Sequence, residues 1–106
     1  MTVSTHVLDA TLGTPAGGVA VSLVAAAADG WVAVESGSTG TDGRHRFEAE
    51  TAPGMYRLVF GTGGYFAGRG VAAFYPEVIV TFTVTAGHYH VPLLLSPFAY
   101  STYRGS

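Results

Sequence analysis

Histidine is the side chain best suited to proton transfer near neutral pH, and the 106-residue sequence contains four of them. Two stand out because they lie in strand-like segments. His6 belongs to the segment VSTHVL at 3–8, and His90 belongs to HYHVPLLL at 88–95. We therefore take His6 and His90 as candidate general bases.

Alternation of residue type indicates which way these histidines point. Successive side chains of a strand project to opposite faces of the sheet. In segments 3–8 and 88–95 the odd-numbered residues are mostly apolar or aromatic, whereas the even-numbered residues include His6, His88 and His90. If the apolar face packs against the core, all three imidazoles project outward and are not ordinary core histidines.

A metal site is an alternative interpretation of the same histidines. His88 and His90 are two residues apart, so they share a strand face, which is a metal-ligand spacing. With His6 as third ligand they would form an open three-histidine zinc site that activates water. No carboxylate lies near either segment's histidines in sequence to support such ligands. The alternatives of a metal-free site and a zinc site both stay open at this level.

Arg44 follows the turn Asp42-Gly43. Of the cationic side chains, it is the one whose position best fits a role in a functional site. A guanidinium there could clamp an anionic or imide-like group through two hydrogen bonds, although an arginine after a turn is often simply solvated. A cation beside a histidine also lowers that histidine's pKa and keeps it neutral, as a general base must be.

Composition excludes several classes of function. The net charge is −2 with five Lys+Arg and no basic stripe, so nucleic-acid binding is not expected. Without cysteine there is no thiol nucleophile. No apolar run approaches the ~20 residues that span a bilayer. The first residues do not resemble a signal peptide, so we expect a cytoplasmic protein that binds no membrane.

The strand pattern predicts a single domain over residues 1–106 with an antiparallel β-sandwich fold. Besides the segment around His6, strands are expected at 18–25, 31–35, 46–48, 55–60, 77–85, 89–95 and 99–103. A short helix is expected near 62–70, with Thr62 as a possible N-cap. Charged residues make up only 11% of the chain, against about 25% on average, which favours association with further copies of the chain.

Several motifs, in order along the whole chain, together resemble one family. They are STHVLD at 4–9, DGR at 42–44, GTGGYF at 61–66, FYPEV at 74–78, HYHVPLLLSP at 88–97 and YRGS at 103–106. The sequence is similar to the 5-hydroxyisourate hydrolase family, which is related to transthyretin. The resemblance implies an all-β, transthyretin-like (prealbumin-like) sandwich of two four-stranded sheets with one short helix, from Thr62 to about Arg69. It also implies a homotetramer, assembled as a dimer of dimers.

The resemblance further implies an activity and a set of site residues. The substrate would be 5-hydroxyisourate, opened at a ring amide to 2-oxo-4-hydroxy-4-carboxy-5-ureidoimidazoline during urate breakdown, with no metal or organic cofactor. His6 and His90 match the family's histidines, and Arg44, Tyr103 and Ser106 match its substrate-binding residues.

We assign the proton abstraction from water to His6, and we expect His90 to orient the water or relay a proton. Arg44 and Tyr103 would hold the heterocycle, and Ser106 would contribute its hydroxyl or a terminal carboxylate. The rival within the fold is transthyretin itself, a hormone-binding protein, which lacks His90 and the YRGS motif.

Overall fold

Two β-sheets pack face to face in the computed structural model, which describes residues 1–106, and one short helix follows the sixth strand. The elements in chain order are β1 (Thr2–Asp9), β2 (Thr14–Pro15), β3 (Ala20–Ala27), β4 (Gly30–Ser38), β5 (Arg44–Arg46), β6 (Gly54–Phe60), α1 (Thr62–Ala67), β7 (Val78–Val84), β8 (His88–Leu95) and β9 (Tyr100–Thr102). The predicted all-β sandwich with one short helix is confirmed. That helix is neither long nor apolar enough to cross a membrane.

The first sheet differs from expectation in the number and the direction of its strands. The second sheet has the expected four strands, in the order β4-β3-β6-β7. The first has the order β2-β1-β8-β9, and a fifth strand, β5, also pairs with β1. In addition, β1 and β8 run parallel, although an antiparallel sandwich was expected. The long chain between them can carry the connection that a parallel pair requires.

The predicted faces of β1 and β8 are confirmed by burial. Val3, Thr5 and Val7 of β1 are buried, and so are Tyr89, Val91 and Leu93 of β8. They join the core cluster, except Thr5, whose hydroxyl donates a 2.6 Å hydrogen bond to the carbonyl of Val91. The even-numbered side chains, the histidines among them, therefore lie on the outward face of the first sheet.

The helix begins one residue earlier than a cap at Thr62 would require. Gly61 is the N-cap, and the buried Thr62 hydroxyl makes no hydrogen bond, so the prediction of a Thr62 cap is wrong. Thr62 is instead the first helical residue and faces the interior. Packing stabilises this glycine-containing helix, because Tyr65 and Phe66 are buried. The Tyr65 hydroxyl donates to Asp9 Oδ2 at 2.8 Å, and burial followed by this bond raises the pKa of Tyr65 to about 12.

Candidate active site

A polar cavity of about 350 Å³ lies where β1, β5 and β8 run side by side. No hydrophobic residue lines it; the lining residues are Ser4, Thr5, Arg44, His45, Arg46, His88, His90 and Ser106. The structure thus brings three of the predicted site residues, Arg44, His90 and Ser106, to one cavity. His6 and Tyr103 do not line it.

The register of the first sheet explains this grouping. Ser4 is paired with Arg46 of β5 on one side and with His90 of β8 on the other. His6 is paired with Arg44 on the same β5 edge. Directly opposite residues have Cβ atoms about 5 Å apart, so these two rows of the sheet place Ser4 and His6 each beside an arginine.

Arg44 is positioned by the turn that precedes it. Gly43 has a φ of +78°, a conformation that favours glycine, and a Cβ there would collide with the carbonyl oxygen of Val7. The Gly43 carbonyl accepts a 2.8 Å bond from Val7 N–H, which fixes the turn against β1. Asp42 Oδ1 accepts a 3.0 Å bond from Arg44 N–H. The exposed Arg44 side chain therefore starts from a fixed backbone.

His6 is bonded to the same turn. Its Nε2 lies 2.9 Å from the carbonyl oxygen of Asp42. Because a carbonyl only accepts hydrogen bonds, Nε2 carries the proton, and Nδ1 is the unprotonated nitrogen of the neutral ring. The bond links the His6 ring to the backbone that presents Arg44.

His90 has different surroundings. Its Nδ1 lies 2.8 Å from Ser4 Oγ in the only hydrogen bond of the ring, so Nε2 has no protein partner. Partial burial of the ring lowers the pKa of His90, and the charges of Arg44, His6 and His88 lower it further. The neutral ring, able to accept a proton, is therefore favoured at neutral pH.

Gly105 lies directly against the His90 ring. Its N–H donates a 2.8 Å bond to the His90 carbonyl, and a Cβ on Gly105 would lie only 2.5 Å from His90 Cδ2. Sequence reasoning missed this contact, since nothing local to YRGS indicates which side chain it covers. It also assigned no role to Ser4 and considered His88 only as a possible metal ligand, although alternation placed both on the outward face.

Tyr103 lies in a neighbouring cleft of about 300 Å³ that His90 also borders. The cleft opens between β7 and the β8–β9 edge, and Tyr103 is 59% exposed there. Its inner wall includes Tyr89, whose hydroxyl oxygen is hydrogen-bonded to the Thr85 hydroxyl and to the backbone N–H groups of Thr85 and Ala86. These bonds, the Thr85 hydroxyl first, lower the pKa of Tyr89 to about 8.

His6, His88 and His90 are not arranged as the ligands of a zinc ion. No group of three His, Cys, Asp or Glu side chains is arranged to hold a metal ion. His6 Nε2 is bonded to the Asp42 carbonyl, and Ser4 Oγ bonds both His88 and His90. The three imidazoles therefore do not converge on one point.

Comparison with known proteins identifies the family. The model of the HIUase/Transthyretin family matches residues 3–105. The chain belongs to this family. The 5-hydroxyisourate hydrolase of Salmonella typhimurium is 47% identical over 108 residues, which cover 97% of this chain and 79% of the relative.

Solved structures of the HIUase/Transthyretin family show the same fold. The Klebsiella pneumoniae 5-hydroxyisourate hydrolase superposes with a TM-score of 0.91 at 37% identity and covers 100% of both chains. Sea bream transthyretin, solved in complex with thyroxine, gives a TM-score of 0.91 at 34% identity and covers 97% of this chain and 93% of its own. The family resemblance stated from the motifs is confirmed, and the fold alone does not separate hydrolases from hormone carriers.

Proposed function

We propose that this protein hydrolyses 5-hydroxyisourate to 2-oxo-4-hydroxy-4-carboxy-5-ureidoimidazoline, a step of urate catabolism. Relatives named for this activity, at 47% identity over nearly the whole chain, support the assignment. The observation that carries it is the cavity itself, where a histidine with a lowered pKa faces solvent beside an arginine. This combination supplies a general base and a cation for a developing oxyanion.

His90 is the general base in this proposal. Its free Nε2 takes a proton from water as the water oxygen attacks a ring carbonyl carbon. The C–N bond of the tetrahedral intermediate then breaks, and the departing nitrogen receives the proton from His90. Arg44 offsets the negative charge that forms on the carbonyl oxygen.

His6 takes the orienting role, which reverses the assignment made from sequence. The reversal does not rest on which nitrogen is bonded, since the protein holds one nitrogen of each ring, Nε2 of His6 and Nδ1 of His90. It rests on placement: His90 lines the cavity together with Arg44, whereas His6 does not line it. His6 therefore acts through the turn that it bonds and through its position beside Arg44.

Arg44, Ser106 and Tyr103 are the proposed substrate-binding residues. Arg44 and Ser106 line the cavity, where their polar groups face a small heterocycle rich in carbonyl and N–H groups. Tyr103 approaches from the neighbouring cleft, which meets the cavity at His90. A large apolar hormone would find no hydrophobic lining in this cavity, so a hormone carrier fits it less well.

The protein also forms a homotetramer, a dimer of dimers, in this proposal. Large apolar side chains are left exposed on the single chain, including Phe74 at 71%, Phe98 at 68% and Leu12 at 58%. Exposed apolar surface of this kind marks contacts with other chains. Sedimentation should give a mass four times that of the chain, and a stable monomer would contradict the assembly.

The direct test is the ultraviolet decay of freshly prepared 5-hydroxyisourate, with and without the protein. We expect the protein to accelerate the decay and a folded His90→Gln variant to lose most of this acceleration. Activity should survive chelation, whereas a loss that only added zinc restores would favour the zinc alternative. No acceleration over the spontaneous reaction would overturn the proposed function.

A further inference from the structure

A chain of hydrogen bonds runs from His90 to the solvent-exposed end of β8. Ser4 Oγ lies 2.8 Å from His90 Nδ1 and 2.9 Å from His88 Nε2. Thr2 Oγ1 lies 2.6 Å from His88 Nδ1. The parallel register pairs Thr2 with His88 and Ser4 with His90, so the four side chains alternate across two adjacent strands.

The chemistry of the serine hydroxyl makes this chain directional. A hydroxyl has one proton, so Ser4 donates to one imidazole and accepts from the other. When Ser4 accepts from His90 Nδ1–H, it donates to His88 Nε2, and His88 Nδ1–H then donates to Thr2. His90 Nε2 is unprotonated in this arrangement. If the direction of every hydrogen bond is reversed, the proton of His90 lies on Nε2 instead. The hydrogen-bond chain therefore couples the tautomer of His90 to that of His88.

We propose that Ser4 and His88 are positioning residues that set the tautomer of His90 and relay its proton toward solvent. The inference rests on the proposed hydrolase function, in which His90 is the base. As Nε2 takes the proton of the attacking water, the Nδ1 proton passes to Ser4 Oγ, and the Ser4 hydroxyl proton passes to His88 Nε2. The bonds made and broken balance: His90 stays neutral, and His88 becomes the imidazolium. The reverse transfer lets His90 Nε2–H protonate the departing nitrogen.

The different surroundings of the His90 and His88 rings explain why a proton would move from His90 to His88. His90 is half-buried, and the charged groups that face it are Arg44, His6 and His88, with Arg46 lining the same cavity. A positive charge on His90 would be poorly hydrated and would lie close to an arginine. His88 is exposed, so water solvates the charge there. The Thr2 hydroxyl accepts from His88 Nδ1–H and leaves His88 Nε2 free to receive the proton.

Three variants test the relay in the full-length protein with 5-hydroxyisourate as substrate. Ser4→Ala interrupts the chain, and His88→Gln keeps a polar side chain but cannot take up a proton. We expect each to lower kcat about 10- to 100-fold, the size of loss from a misplaced catalytic group, with little change in KM. Ser4→Thr keeps the hydroxyl and should restore most of kcat. The matched control is Ser22→Ala on the other sheet, where an outward serine is bonded only to Ser36 at 3.1 Å.

Two further measurements separate a relay from a merely structural contact. The solvent isotope effect on kcat, followed against deuterium fraction, should indicate more than one proton in flight for the natural protein and one for Ser4→Ala. Nitrogen NMR of His90 should show the Nδ1–H tautomer, and Ser4→Ala should shift it toward a mixture even without turnover.

The outcomes are distinct from failure of the proposed function. If the natural protein does not accelerate the reaction, the function itself is wrong. If the natural protein is active, and if the Ser4→Ala and His88→Gln variants fold and keep full kcat, the relay is overturned. Loss of kcat in Ser4→Ala alone, with the isotope effect unchanged, also overturns the relay.

Discussion

The two histidines of the site differ in the partner of the bonded ring nitrogen. His6 donates to a backbone carbonyl at 2.9 Å, and a carbonyl has no proton to give back. His90 is bonded at 2.8 Å to the Ser4 hydroxyl, which can donate or accept. The first arrangement fixes a tautomer, and the second allows it to reverse. It follows that His6 can exchange a proton only at Nδ1, whereas His90 can also pass a proton to or from its bonded neighbour.

The electrostatic surroundings reinforce this difference. The pKa of His90 is lowered first by burial and then by the charge of Arg44. The ring therefore stays neutral below the ordinary histidine value of 6.5. A base that is neutral at working pH and has an unbonded Nε2 can accept the proton of water directly.

The largest expected effect comes from replacing each of the two histidines by glutamine in separate variants. His90→Gln should lower kcat by about 10²- to 10⁴-fold, the usual contribution of a general base. His6→Gln should cost at least about tenfold less, because the glutamine amide can still donate to the Asp42 carbonyl. Steady-state kinetics on both folded variants decide the point. A loss in His6→Gln equal to that in His90→Gln would restore His6 as the base.

A smaller effect is expected from Gly105→Ala, which tests how the His90 ring is held. The added Cβ would lie 2.5 Å from His90 Cδ2, so the ring must move. We expect kcat to fall about 10- to 100-fold, with the free energy of unfolding changed much less than activity. Gly64→Ala is the matched control, since a Cβ there meets nothing within 4 Å. Unchanged kcat in Gly105→Ala would show that the ring position is not critical.

The smallest expected effect is on the protonation of His90 when its cationic neighbour is removed. Arg44→Gln should raise the pKa of His90 toward 6.5, because one of the charges that lower it is lost. The acid limb of kcat/KM, where activity falls as the base is protonated, should move to higher pH. NMR titration of the His90 ring measures the shift independently of activity.

Arg57→Gln, on the opposite sheet over the Trp31 ring, should leave the His90 titration unchanged. If His90 titrates identically in Arg44→Gln and in the natural protein, Arg44 does not lower the pKa of His90, and the proposed electrostatic difference between the two histidines is contradicted.

Local pattern predicted the long strands and the short strand β9 well, but it predicted β2 and β5 poorly. Alternation over eight residues is enough to define the two faces of β1 and β8, and burial confirms both. The two residues of β2 and three of β5 are too few to show a period, and the short strand predicted at 46–48 lies instead at Arg44–Arg46. The parallel pairing of β1 with β8 depends on contacts between opposite ends of the chain, which no local pattern contains.

The outward-facing residues of β1 and β8 could be predicted from the sequence alone, because side-chain direction in a strand follows from the period of two. The sequence also carried the motifs of the family. Which nitrogen of each histidine is bonded, and to which partner, depends on the tertiary structure. Those partners come from distant segments, 36 residues away for Asp42 and His6 and 86 for Ser4 and His90. Sheet register sets these contacts, and register is a property of the folded chain.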